Sequence, residues 1–188
     1  MRRKLENIST SISEPVELSD VKTHLRVDYD DEDVLLTAYI SAARSIAENY
    51  ANRVIAPQQF RLTLDRFPHL IRLPKTPVIT IDSFTYVDNQ GATQPLSSGT
   101  GYHFSNEEFD PVLVPPYTEN WPDTEDGYEK VVITFTAGYS SPTEIIKSAI
   151  MLIIGDLYMN RERAAPVSLQ QVPFGAKALL DSIRKGVA

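Results

Sequence analysis

The sequence predicts an α+β protein, a bundle of two long and two shorter helices carrying an inserted antiparallel β module. Three observations carry that expectation. Apolar residues recur at helical spacing from Asp30 to Asn52, and the same rhythm returns after Ser141. Between Gln58 and Ala137 the period drops to two, with turn-forming residues separating short apolar runs. Short strands joined by turns, with no helices between them, make an antiparallel sheet and not βαβ units. The expected organisation is a flexible arm over residues 1–15, a helical bundle domain from 16–57 and 138–188, and a β module over 58–137.

In chain order, MRRKLENISTSIS is polar and aperiodic, and Pro15 closes it. A short helix follows from Asp20 to about Val27, with Ser19 as N-cap and Val21, His24 and Leu25 facing inward. The turn DYDDED then raises the question of calcium. An EF-hand loop needs glycine at its sixth position and glutamate at its twelfth. Counted from Asp28, those positions hold Asp33 and Tyr39, so a capped helix start is the better reading. Asp30, Asp31, Glu32 and Asp33 place negative charge beside the unpaired N–H groups of that first turn.

The long helix that follows shows Leu35, Tyr39, Ala42, Ile46 and Tyr50 as one apolar stripe, with Thr37, Ser41, Arg44, Glu48 and Asn52 opposite. Pro57 stops it, and Phe60, Leu62 and Leu64 then alternate with polar residues as a strand. Further strands are expected at His69–Leu73, Val78–Val87, Thr93–Leu96, Tyr102–Phe104, Val112–Val114 and Val131–Thr136. Asp88-Asn89-Gln90-Gly91 reads as the turn between two of them, because these residues tolerate left-handed φ. Glu107 to Glu129 is an acidic, proline-rich loop containing Trp121, the only tryptophan. A tryptophan so placed either packs on its own sheet or anchors a neighbour.

Ser141-Pro142-Thr143-Glu144 opens the second long helix, with Ser141 as N-cap, running to about Arg161. Ile145, Ala149, Leu152 and Ile153 form its expected inner stripe. Ile146, Ile150, Met151, Ile154 and Tyr158 widen the apolar surface almost all round, so the helix is covered on most sides, either within the monomer or by a second subunit. Residues 164–172 read as a linker. A last helix runs from Ala176 to about Lys185 with Leu179, Leu180 and Ile183 inward, and Arg184 and Lys185 suit its C-terminal dipole.

Composition narrows the function. The 188 residues carry a net charge of −7, which argues against binding nucleic acid by phosphate neutralisation. With no cysteine, there is no disulfide framework and no thiolate chemistry. The longest apolar run, Ala149 to Ile154, falls far short of the roughly 20 residues a membrane span needs. No apolar h-region follows the basic N-terminus, so synthesis in the cytoplasm is expected. Nucleotide-loop, nucleophile-elbow and zinc-helix motifs are missing, and His24, His69 and His103 are scattered without metal-pair spacing. No catalytic, metal or cofactor site is expected.

In order, the segments LSDVKTHLRVDYDDEDVLL, NRVIAPQQFRLTLDRFP, IRLPKTPVITIDSFTYVDNQG, VVITFTAGYSSPTEIIKSAIMLIIGDLYMNRE and VPFGAKALLDSIR resemble the gp6-like head–tail connector (adaptor) proteins of tailed bacteriophages. They are also similar to adaptors of gene transfer agents. The resemblance covers about residues 16–185. It implies a virion protein at the head–tail junction forming a ring, usually of about twelve copies, beneath the portal. Such a ring joins the portal protein to the tail-completion (stopper) protein and leaves a channel for double-stranded DNA, with no membrane involved. On that reading the ring interface falls on the side faces of the long helices, at Leu35, Tyr39, Arg44, Glu48, Ile146, Ile150, Tyr158 and Arg161. The last helix would reach the portal through Phe174, Leu179, Leu180, Ile183 and Arg184. Glu119, Trp121 and Asp123 would face the channel or the next ring. The rival expectations are a carbohydrate- or protein-binding β module using Trp121 and nearby tyrosines, and a small enzyme with an unrecognised site.

Overall fold

The computed structural model describes residues 2–160 and 172–186. The chain forms two compact units, Met1–Ile12 with Pro57–Tyr139 and Ser13–Ala56 with Ser140–Ala188. Helices and antiparallel sheets give the α+β class that the periodicities predict.

The first unit is built from strands β1 (Arg3–Asn7), β2 (Gln58–Leu64), β3 (Ile71–Arg72), β4 (Val78–Val87), β5 (Thr93–Pro95), β6 (His103–Ser105), β7 (Val112–Val114) and β8 (Val131–Ala137). One sheet has the order β1-β2-β8-β4-β5 and a second the order β3-β7-β6. The alternation that marked β8 is the burial pattern found: Val131, Ile133, Phe135 and Ala137 are buried, and the residues between them are half-exposed. Register sets Phe60 opposite Phe135 and Leu62 opposite Ile133, and the two phenylalanine rings lie 5.8 Å apart. In β4 the register slips between Val78 and Thr80 and again between Ile81 and Ser83. Each slip inserts a residue, so the strand does not keep one inward phase. The β4–β5 turn is held by Asp88, whose carboxylate accepts from the Gln90 and Ala92 amides, while Gly91 takes φ +79°.

Residues 3–7, expected as part of a loose arm, are instead the edge strand β1, paired antiparallel along β2 with Leu5 opposite Leu62. The sequence gives no sign of it because an edge strand borrows its register from its neighbour. The charges of Arg3, Lys4 and Glu6 are those that keep an exposed edge from pairing with other chains. Proline explains the other shortfall: Pro68 and Pro74 trim the expected His69–Leu73 strand to Ile71–Arg72.

The second unit contains helices α1 (Leu18–Leu25), α2 (Asp33–Ala51), α3 (Glu144–Met159) and α4 (Phe174–Leu180), with a 3₁₀ turn at Asp181–Ile183. The first helix starts before Ser19, with Glu17 at the cap position, and closes on Arg26 in the left-handed conformation. The acidic turn is tied down by Lys22, which bridges Asp30 and Asp33. Asn52 closes α2 at φ +51°. Thr143, and not Ser141, caps α3.

Helix α2 turns a different face inward from the one expected, while α3 keeps Ala149 and Ile153 of its expected inner stripe but not Ile145 and Leu152. Buried on α2 are Leu36, Ile40, Ala43, Ala47 and Ala51, one residue along from the predicted stripe. The helix carries two interleaved apolar stripes, and the one rich in alanine lets neighbouring helices approach closely. On α3 the buried residues are Ile146, Ala149, Ile150, Ile153 and Ile154. Ile145 and Leu152 remain 48% and 40% exposed. An almost uniformly apolar helix has no sequence period to choose its face, so the packing of α1, α2 and α4 around it chooses.

Arg44, placed on the polar face by sequence, is only 6% exposed. Its guanidinium donates to Glu14 at 2.9 Å and Glu48 at 3.1 Å. The other Glu48 oxygen accepts from the Ile55 amide at 2.8 Å and the Ala56 amide at 3.3 Å, tying down the chain beyond α2. Arg44→Ala strands these carboxylates and is expected to cost about 3 kcal/mol. By contrast, Lys147→Ala, which breaks the exposed pair with Glu144, is expected to cost under about 0.5 kcal/mol. Urea unfolding of the two variants checks the difference.

Candidate functional site

Among the described residues, one apolar surface left open in the helical unit is the outward stripe of α3. Ile145, Leu152 and Met159 follow one another at intervals of seven, two turns apart, and are 48%, 40% and 80% exposed. Phe174 at the start of α4 is 88% exposed. A Cβ on the next residue, Gly175, would lie 3.4 Å from Leu152, so α4 begins beside this stripe. Along its edge runs an open groove of about 490 Å³ lined by Val16, Asp20, His24, Lys147, Met151 and Leu152, among others. Helix α2 also keeps an open face: Val34, Ala38 and Ala42 are exposed, and Leu35, Tyr39 and Ile46 are half-buried beside them.

The residues expected at a ring interface divide sharply. Leu35 and Tyr39 lie at the edge of that open α2 face. Ile146 and Ile150 have no exposed surface, and Arg44 and Glu48 are turned to the contacts described above. Within the single chain these four are engaged in the packing and ion pairs of the helical unit. Arg161 lies outside the described residues. Ile145 and Leu152, expected on the inner stripe of α3, are on its open side together with Met159, which the sequence did not single out.

Tyr158 is half-buried, and its hydroxyl donates to Glu32 at 2.8 Å. Hydrogen bonding to Tyr29 and to Glu32, with partial desolvation, pushes it up to about 12. The folded chain holds this proton more tightly than the unfolded chain. Its contribution is therefore full below pH 10 and is lost as pH rises from 10 towards 12. Over that interval the thermal midpoint of the wild type should fall more steeply than that of Tyr158→Phe.

Of the residues expected to reach the portal, Phe174 and Arg184 are exposed, and Leu179 and Ile183 are half-buried. Leu180 is fully buried and belongs to the core. Arg184 sits 4.8 Å from the centre of the Tyr50 ring, whose hydroxyl donates to Asp181 at 2.7 Å. That cluster fastens the C-terminal turn to the end of α2.

In the β unit, Glu119 and Asp123 are exposed on the acidic loop, as are Phe109, Tyr117 and Tyr128. Trp121 between them is anchored. Its ring stacks on Phe67 at 4.9 Å with the planes 5° apart, meets Phe84 at 5.8 Å, and its Nε1–H donates to the His69 carbonyl at 3.3 Å. One face of the indole is taken up by Phe67, which disfavours it as a sugar platform. Trp121→Ala is expected to cost roughly 2 kcal/mol, about half the fully buried value. The wild-type fluorescence should shift to the red in the same urea transition that reports loss of the sheet.

Among the described residues, no three His, Asp or Glu side chains converge as a metal site. No helix among them is long and apolar enough to cross a membrane. What the geometry provides is surface for contact between proteins, and the comparisons agree. Residues 15–109 match the model of the phage gp6-like head-tail connector protein family. No curated protein matches the chain. Among solved structures, the chain is similar to one in the neck of an empty gene transfer agent (GTA) particle computed with C6 symmetry. The two are 25% identical with a TM-score of 0.78, over 98% of this chain and 97% of that one. A chain from the virion of a native GTA particle is also 25% identical, with a TM-score of 0.77 over 98% and 96%. A third, from the neck of a native GTA particle computed with C12 symmetry, shares the fold at 23% identity and a TM-score of 0.76, over 98% and 97%. With the family match covering just over half its length, the chain belongs to the phage gp6-like head-tail connector proteins, structural components of the virion neck.

Proposed function

We propose that this connector works as a non-catalytic ring beneath the portal vertex, in about twelve copies, joining the portal protein to the tail-completion protein and leaving an axial channel for double-stranded DNA. The observation that carries the reading is the likeness, over nearly the whole of both chains, to a neck protein in a particle of rotational symmetry. A protomer in such a ring presents two different surfaces to its two neighbours. Open apolar faces on two helices of one unit suit that demand. Of the surface residues expected from sequence, Leu35, Tyr39 and Tyr158 remain available to the ring. Phe174, Leu179, Ile183 and Arg184 remain available to the portal, and Glu119 and Asp123 to the channel or the next ring. On this reading the helices serve assembly, and the acidic loop of the β module faces the channel or the next ring.

The net charge of −7 suits a conduit. A wall that repels phosphate lets DNA pass without retention. In isolation the chain is expected to scatter light as a monomer or a weakly associating species, and to form rings visible by electron microscopy when mixed with its portal protein. A stable dimer that ignores portal rings would overturn the reading.

A further inference from the structure

We propose that the ring is closed by the outward stripe of α3 on one copy seating against the open face of α2 on the next. The inference rests on the ring reading above and assigns its interface. Both helices turn a buried stripe inward. On α2, Leu36, Ile40, Ala43 and Ala47 lie roughly opposite Val34, Ala38 and Ala42; on α3, Ile145, Leu152 and Met159 lie about 130° round the helix from Ile146, Ile150 and Ile153. The two open faces therefore look away from one another on a single copy. A surface that mates with a different surface of an identical neighbour is what closure about a rotation axis needs; a face that met only its own copy would stop at a dimer.

Side-chain size argues for the same pairing. The α3 face presents large knobs, Ile145, Leu152, Met159 and the neighbouring Phe174, all well exposed. The α2 face is shallow, formed by Ala38, Ala42 and Ser45 with Val34 at one end and the half-buried Leu35 and Tyr39 along its edge. Large residues on one helix and small ones on the other let the two axes approach closely.

Area then decides how tightly single copies bind. From Ile145 to Met159 the stripe is about 21 Å long. A contact one helix wide, about 10 Å, has a footprint of roughly 200 Å², against the roughly 800 Å² per partner of a stable interface. One such contact is too small to hold a free dimer. In a closed ring every copy makes two of them, and a template that gathers copies raises their local concentration. The occupant that fits is thus a second copy of this chain, held side by side on a template.

The chain has no cysteine, which makes the test direct. Ala42→Cys and Leu152→Cys each fall near the middle of their helix at an exposed position, and circular dichroism checks that the variants fold. The double variant treated with a short bismaleimide, alone at high concentration or on portal rings, is expected to give a ladder of dimer, trimer and higher species. An equimolar mixture of the two single variants is expected to stop at dimer, and either single variant alone to stay at least tenfold less cross-linked. Ile145→Cys with Ala38→Cys repeats the test one to two turns away. A dimer from Leu152→Cys alone would overturn the proposal by showing the stripe meeting itself. Rings on the portal without a ladder would overturn this interface and leave the connector reading standing. If neither rings nor a ladder form, the ring reading proposed above itself fails.

Discussion

The packing of α2 with α3, each turning a buried stripe inward, governs the rest of the helical unit. Ala43, Ala47 and Ala51 have no exposed surface, and nor do Ile146, Ile150 and Ile154. Burial of each isoleucine contributes about 1.5–3 kcal/mol relative to leaving it in water, and the alanines of α2 keep its buried side thin enough for close packing. Once these stripes are committed inward, the opposite faces have to be open. Ile145 and Leu152 are outside because Ile146 and Ile153, one position along, are inside, and Met159 lies a further seven residues along the same stripe.

That commitment is reinforced by polar groups that sequence position alone would put at the surface. Arg44 reaches Glu14 and Glu48, and Glu48 in turn holds the amides of Ile55 and Ala56. One buried cation therefore fastens the segment before α1 and the segment after α2 to the same turn of helix. A buried charge is tolerated only when its partners are complete, so the cluster fixes the path of the chain at both ends of the long helix. Tyr158 with Glu32, and Tyr50 with Asp181, do the same work less deeply.

The β unit follows a different logic. Its sheet is held by cross-strand pairs such as Phe60 with Phe135 and Leu62 with Ile133, and its long loop by Trp121 stacked on Phe67. Anchoring the loop at its tryptophan leaves the acidic residues around it in solvent.

By itself the sequence determined the class and the order of elements from α1 onward. Period four, then period two, then period four again predicts helix, strands and helix, and Asp88 to Gly91, Pro57 and Pro142 mark the joints. Family membership was also legible, because it rests on ordered phrases that need no folding to compare. What only the tertiary structure decided is which side of each long helix faces in, and that buried Arg44, Ile146 and Ile150 of the expected interface residues. Leu35 and Leu36, or Ile145 and Ile146, are equally apolar neighbours 100° apart, and no local preference separates them. The choice is made by side-chain volume across a contact far apart in sequence, as it is for β1, whose residues 3–7 become a strand only because β2 lies beside them.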